Sequence, residues 1–165
     1  MGNLRLTVEG GKRRNERGGR VALYQNPVWF HLVEYGATPY TGDAYLTDWP
    51  ATLDALEALN PAALVPGRGA ALTTPEQVKD GLNGTRAFVT EMYEHVKRGV
   101  AAGQDLRTVY RTTYDALKPK FGEWVIFDHC LPFDVSRAYD EATGHRDPRI
   151  WTAQRDKDMW LALEG

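Results

Sequence analysis

The fold prediction starts from two stretches of sequence, Thr-Pro-Tyr-Thr-Gly-Asp-Ala-Tyr-Leu-Thr-Asp-Trp (38–49) and Leu-Val-Pro-Gly-Arg-Gly-Ala-Ala-Leu (64–72). The first is typical of a Gly/Asp loop that leads into a helix, because Leu53 and Leu56 continue the apolar stripe of Trp49. The second predicts a short strand that ends in a Pro-Gly-X-Gly turn. Active-site loops of α/β proteins gather at the carboxyl ends of strands, so we expect functional side chains at this turn.

Helices dominate the sequence that follows. Thr74, with Gln77 three residues later, is typical of a helix start, and the apolar periodicity continues to about Gly103. Asp105 is a good N-cap for a second helix, which Gly122 ends. Other elements are predicted as strands at 21–25, 28–33 and 62–65, as an apolar run at 124–127, and as helices at 133–141 and through 160–163. This order predicts an α/β protein with a helical C-terminal extension from about residue 74.

The composition is that of a globular domain. The chain has 165 residues, of which 42% are hydrophobic and 25% charged, so wholesale disorder is excluded. No apolar run approaches the ~20 residues that a transmembrane helix needs, so we expect no membrane span. Cys130 is the single cysteine, so no intramolecular disulfide can form and we expect a cytoplasmic location.

Positive charge is concentrated at the amino terminus. Residues 1–20 have a net charge of +4, whereas residues 21–165 have a net charge of −6. The basic segment is rich in glycine and contains no aromatic side chain. We therefore expect a flexible arm at 1–20 and a single domain at 21–165, and the pattern does not favour nucleic-acid binding.

The order of a loop, a Trp-led helix and a strand that ends in Val-Pro-Gly-Arg-Gly resembles the C-terminal half of the metallo-β-lactamase (MBL) fold metallo-hydrolases, in particular their glyoxalase-II-like group. The resemblance covers about residues 32–165. It implies a partial MBL-like sheet-and-helix layer and a cofactor of zinc or another divalent metal. It also implies hydrolysis of esters, thioesters or lactams by a metal-activated water.

The sequence departs from that family at the metal ligands. The His-x-His-x-Asp-His motif of the family is absent, and Arg68 occupies the place of the histidine in the Pro-Gly-His-Gly turn. Arginine remains protonated and cannot ligate zinc. His31 lies where the family has a ligating aspartate, so it is a candidate metal ligand, with a simple strand histidine as the alternative. The resemblance therefore implies a truncated or degenerate hydrolase, inactive as this chain alone.

Two further residues are candidates for substrate binding. Arg68 is suited to hold the carboxylate or phosphate of a small anionic ligand, and the alternative is a solvated or salt-bridged arginine. Asp43 is predicted to line the same cleft, although turn chemistry alone also explains a Gly-Asp pair. His129 and Cys130 are adjacent, which suggests either a nucleophile and its base, two metal ligands, or a cysteine buried in the core.

The alternative function is a non-catalytic binding or oligomerisation module. Half of a two-layer fold leaves an apolar sheet face uncovered, and a large exposed apolar face usually marks an interface. The expected partner is a second copy of the chain or a complementary N-terminal half.

Overall fold

Helices form the regular structure of residues 32–164, the part of the chain that this computed structural model describes. Their bounds are Trp49–Ala58 (α1), Pro75–Ala101 (α2), Leu106–Phe121 (α3), Phe127–Ala142 (α4) and Ala153–Glu164 (α5). None of these helices is both long enough and apolar enough to cross a membrane. The predicted arm at 1–20 and the predicted strand at 21–25 lie outside the described residues, as does His31.

The prediction of an α/β, MBL-like sheet-and-helix layer is wrong for the described residues. They contain no strand, and their β-type pairing is limited to two isolated bridges, Ala37 with Val125 and Leu64 with Leu72. The apolar run at 62–65 lies between two prolines, which lack the N–H donor that a ladder needs. Apolar runs this short do not distinguish a strand from a loop or a helix start. The apolar sheet face predicted for a binding module is therefore absent from this part of the chain.

The predicted starts of α2 and α3 are confirmed. Thr74 Oγ1 accepts a hydrogen bond from the Gln77 backbone N–H at 3.3 Å, and Gln77 Oε1 accepts one from the Thr74 N–H at 3.2 Å. This reciprocal capping box satisfies two N–H groups that a helix start otherwise leaves without partners. Asp105 accepts from the Thr108 N–H at 2.8 Å in the same way. The starting points of both helices therefore follow from local chemistry.

Helix α4 begins at Phe127, six residues before the predicted start at Phe133. Pro132 lies inside the helix, where it removes one helical hydrogen bond, and the sequence pattern therefore hides the first turns. Burial of Phe127, Leu131 and Val135 in the core stabilises those turns despite the proline.

The core lies around α2, which packs against α1, α3 and α4. An aromatic group closes one end of this core: Phe88 of α2 lies edge-on to Phe121, with ring centroids 5.3 Å apart, and stacks with Trp124 at 5.9 Å. The segment 32–48 then runs across α2 and α4, and its Glu34 N–H donates to Thr85 Oγ1 at 3.0 Å.

Arg137 of α4 connects this segment to the carboxyl-terminal part of the chain. Its side chain is fully buried, and its Nε donates to the Ala44 carbonyl at 2.7 Å. Its other nitrogens donate to the carbonyls of His145 at 3.0 Å and Arg146 at 2.5 Å, and to Glu141 Oε2 at 2.7 Å. One buried guanidinium therefore joins three separate pieces of chain.

Glu141 extends the same network to the start of α1. Its carboxylate accepts hydrogen bonds from the backbone N–H groups of Leu46 at 3.0 Å and Thr47 at 2.9 Å, and from Thr47 Oγ1 at 2.6 Å. The pair of Arg137 and Glu141 thus fixes where segment 32–48 turns into α1.

We expect Arg137→Met to lower the free energy of unfolding by about 3–5 kcal/mol, because it leaves the carboxylate of Glu141 without its buried counter-charge. Urea unfolding followed by circular dichroism measures the loss. The control is Arg111→Met at an exposed position of α3, which is expected to change stability by about 0.5 kcal/mol or less. Equal losses in the two variants would contradict the role given to Arg137.

Candidate functional site

Segment 38–43 separates two polar features, and its side chains face both. On the inner side Thr41 belongs to a mostly buried polar cluster, which we define as Glu34, Thr41, Arg68, Cys130 and Asp134. On the outer side Tyr40 and Asp43 line a surface cavity, which we call the Tyr40 cavity. The candidate site comprises these two features.

The turn that carries Arg68 is held by backbone contacts. The Gly67 N–H donates to the Val33 carbonyl at 2.9 Å, and the Arg68 carbonyl accepts from the Tyr35 N–H at 3.1 Å. Gly69 adopts φ +103°, and a Cβ at this position would overlap the Tyr35 carbonyl oxygen. Glycine is therefore required on the carboxyl side of Arg68 by both conformation and space.

Arg68 lies beside Glu34. Its Nη1 is 3.4 Å from Glu34 Oε1, and the Glu34 side chain is fully buried whereas that of Arg68 is 33% exposed. This contact is the salt bridge that the sequence analysis gave as the alternative to anion binding by Arg68. The anion-binding role of Arg68 stays a prediction. Asp43 lines the Tyr40 cavity together with other residues, and Arg68 is not among the described residues that do so.

Asp134 is the most unusual titratable group of the cluster. Its Oδ1 accepts hydrogen bonds from the Thr41 backbone N–H at 2.6 Å and from Thr41 Oγ1 at 2.9 Å, whereas its Oδ2 is buried with no hydrogen-bond partner among residues 32–164. Burial raises its pKa to about 8, although the Thr41 hydrogen bonds and the charge of Arg68 act in the opposite direction. Burial therefore favours the protonated form of Asp134 at neutral pH.

Cys130 and His129 have different surroundings. Cys130 is buried, and burial, followed by the charge of Asp134, raises its pKa to about 12, so the thiol stays protonated. His129 is exposed, with its ring centroid 5.9 Å from that of Phe133. The geometry therefore favours the core alternative for Cys130 over a nucleophile and its base.

The metal site implied by the resemblance stays a prediction. Within residues 32–164, no three or more His, Cys, Asp or Glu side chains form a group that could hold a metal ion. His31, the candidate ligand, lies outside those residues.

The Tyr40 cavity has a volume of about 310 Å³. One wall is formed by Tyr40 and Asp43, and the other by the segment 148–151. The Trp151 Nε1–H donates to the Gly42 carbonyl at 3.0 Å and joins the two walls. Gly42 has no side chain, and a Cβ there would overlap both Tyr40 Oη and Trp151 Nε1. The close approach of the phenol and the indole therefore depends on this glycine.

Aromatic rings support both walls from below. Phe133 of α4 lies 5.9 Å from Tyr40 and 4.9 Å from Trp151 between ring centroids. Arg155 of α5 stacks on the indole ring of Trp151, and its guanidinium carbon lies 3.9 Å from the centroid of that ring. The rings are therefore fixed in place, and burial, reinforced by the charge of Asp43, raises the pKa of Tyr40 to about 12. The phenol stays neutral and able to donate a hydrogen bond.

The sequence placed Asp43 in a cleft with Arg68, and it did not single out segment 148–151, which lines the Tyr40 cavity together with Asp43. Pro148, Arg149, Ile150 and Trp151 lie more than a hundred residues from Asp43, in a stretch with no motif. The composition offered one signal: Ile150 and Trp151 are adjacent large apolar residues in a segment predicted to be neither helix nor strand. Such residues in a loop indicate a contact or binding surface. Ile150 is 84% exposed.

We expect Gly69→Ala to lower the free energy of unfolding by about 1–3 kcal/mol more than Gly103→Ala, as measured by urea unfolding. Both glycines have positive φ, but a Cβ at Gly103 has open space, whereas one at Gly69 collides with the Tyr35 backbone. Similar losses in the two variants would show that the approach of Tyr35 to the Arg68 turn does not constrain the fold.

We expect Asp134→Asn to make stability less dependent on pH. The folded pKa of Asp134, about 8, lies above its usual value of 3.8, so ionisation in the unfolded chain lowers stability progressively as pH rises between these values. The free energy of unfolding of the variant minus that of the wild type should therefore rise by about 1.4 kcal/mol per pH unit over this window and level off above pH 8.

The measurement is urea unfolding at several pH values from about 4.5 to about 9.5, which covers most of this window and the plateau expected above it. Asp115→Asn, at an exposed position of α3, is the control and should show a nearly constant difference. A constant difference for Asp134→Asn as well would mean that Asp134 is ionised in the folded protein at neutral pH.

No family model matches the chain, and a search of curated proteins finds no significant match.

Proposed function

We propose that this chain is a small-molecule-binding module and that its ligand occupies the Tyr40 cavity. The observation that carries the proposal is the lining of this cavity: about 310 Å³ bounded by the aromatic side chains of Tyr40 and Trp151 and by the charged residues Asp43 and Arg149. Ligand sites are typically concave, roughly 300–1,000 Å³ in volume, and lined by apolar surface with a few convergent polar groups.

The polar atoms of the cavity are suited to recognition. Tyr40 supplies a neutral hydroxyl, and Asp43 supplies an exposed carboxylate. Trp151 presents an indole ring whose N–H is already used in the hydrogen bond to Gly42. Such a set orients a ligand by one or two polar contacts while the rings cover its apolar part.

This proposal develops the binding-module alternative and replaces the sheet face with a cavity. The described residues supply a means of holding a ligand, and Cys130, as a protonated thiol, is not an activated nucleophile. Hydrolysis by a metal-bound hydroxide, as implied by the resemblance, stays a prediction, as do the homo-oligomer and the complementary N-terminal half.

The test is a titration of the ¹⁵N-labelled full chain with four compounds that share a phenyl group: 2-phenylethanol, phenethylamine, 3-phenylpropionate and L-phenylalanine. We expect at least one of them to shift the Trp151 indole N–H resonance in a saturable way, because that N–H lies between the two walls. Trp124, in the aromatic end of the core, should not respond.

Gly42→Ala is the variant that tests the site. Its methyl group forces Tyr40 and Trp151 apart, so we expect the affinity of the bound compound to fall at least about tenfold. The matched control is Gly84→Ala in α2, where a Cβ finds only ordinary contacts of 3.6 Å or more with Trp124. The proposed function fails if none of the four compounds shifts the Trp151 resonance.

A further inference from the structure

The two walls of the Tyr40 cavity carry charges of opposite sign. Asp43 contributes a negative charge from the wall formed by segment 38–43, and Arg149 contributes a positive charge from segment 148–151. Both side chains are exposed, so a ligand in the cavity can reach them.

Arg149 shares its carboxylate partner, Asp140, with a second guanidinium group. Asp140 accepts hydrogen bonds from two guanidinium groups, those of Arg149 and Arg155. Within this cluster one carboxylate faces two guanidinium groups, so the cluster has one positive charge in excess. The Arg149 side chain is 56% exposed, whereas that of Arg155 is 15% exposed, so Arg149 is the group that presents this charge to solvent.

The surface between these charges is aromatic and apolar. Tyr40, Ile150 and Trp151 line it, and the Ile150 side chain is 84% exposed. An apolar group bound here would cover a hydrophobic side chain that is otherwise in water, which is favourable by about 25 cal/mol per Å² of apolar area buried.

Resting on the proposed function, we propose that the ligand is a small zwitterion of the amino-acid type. Its ammonium group lies toward Asp43, its carboxylate toward Arg149, and its apolar side chain against Tyr40, Ile150 and Trp151. A simple cation would bring its charge near Arg149, and a simple anion would bring its charge near Asp43. Only a ligand with both charges finds a partner on each wall.

The experiment compares dissociation constants of the four phenyl compounds for the full chain, by calorimetry and by the Trp151 indole shift. L-phenylalanine carries both charges, phenethylamine only the ammonium, 3-phenylpropionate only the carboxylate, and 2-phenylethanol neither. We expect L-phenylalanine to bind at least tenfold more tightly than each of the other three.

Two variants assign the charges. Asp43→Asn should weaken L-phenylalanine at least fivefold while leaving 3-phenylpropionate as tightly bound as before, or more so. Arg149→Gln should weaken L-phenylalanine to a similar extent while sparing phenethylamine. In the Arg149→Gln variant Arg155 still pairs with Asp140, so this wall keeps an ion pair. We therefore expect the melting temperature of this variant to be unchanged.

The outcomes separate the two proposals. If singly charged or neutral compounds bind as tightly as L-phenylalanine, the zwitterion inference is overturned while the binding function stands. If L-phenylalanine is preferred but neither variant reduces the preference, the assignment to Asp43 and Arg149 is overturned. If no compound binds, the proposed function itself fails.

Discussion

The rest of the structure depends on the burial of the Arg137 guanidinium. A charged group with no access to water is tolerated only when its N–H groups have partners, and Arg137 finds them in three backbone carbonyls and the carboxylate of Glu141. The carbonyls belong to Ala44 on one side and to His145 and Arg146 on the other. The guanidinium therefore specifies how two loops that are distant in sequence lie on α4, a task that apolar packing alone performs with less directional precision.

Helix α4 consequently sets the position of both walls of the Tyr40 cavity. Asp134, Arg137 and Glu141 are spaced by three and four residues, so they share one face of the helix, and they hold Thr41, Ala44 and Thr47 in turn. Asp140 of the same helix binds Arg149 and Arg155, which carry the second wall. Helix α4 therefore positions both walls, and a preorganised binding site requires such a rigid support.

The parts of this structure that sequence predicts are those fixed by neighbours in the chain. Thr74 and Asp105 cap helices through bonds to residues three positions away, and those helices begin where the pattern places them. The strand prediction at 62–65 failed because four apolar residues between prolines carry no periodicity long enough to decide. Asp43 could be singled out from its turn, but Arg149 and Trp151 could not, because the contacts that bring them to segment 38–43 span more than a hundred residues. The pairing of Arg137 with Ala44, 93 residues apart, is equally invisible to local reasoning.

The neutrality of Asp134 bears on the charge balance of the cavity. Both Asp43 and Asp134 lie close enough to Tyr40 for a negative charge on either of them to raise the pKa of its phenol. Burial raises the pKa of Asp134, which favours its protonated form and leaves Asp43 as the exposed negative charge of this wall, across from Arg149. Ionisation of Asp134 would add a second, buried negative charge and bias the cavity toward cations. Burial of Asp134 under Thr41 thus does more than anchor the loop, since it keeps the electrostatic field across the cavity suited to a ligand with one charge of each sign.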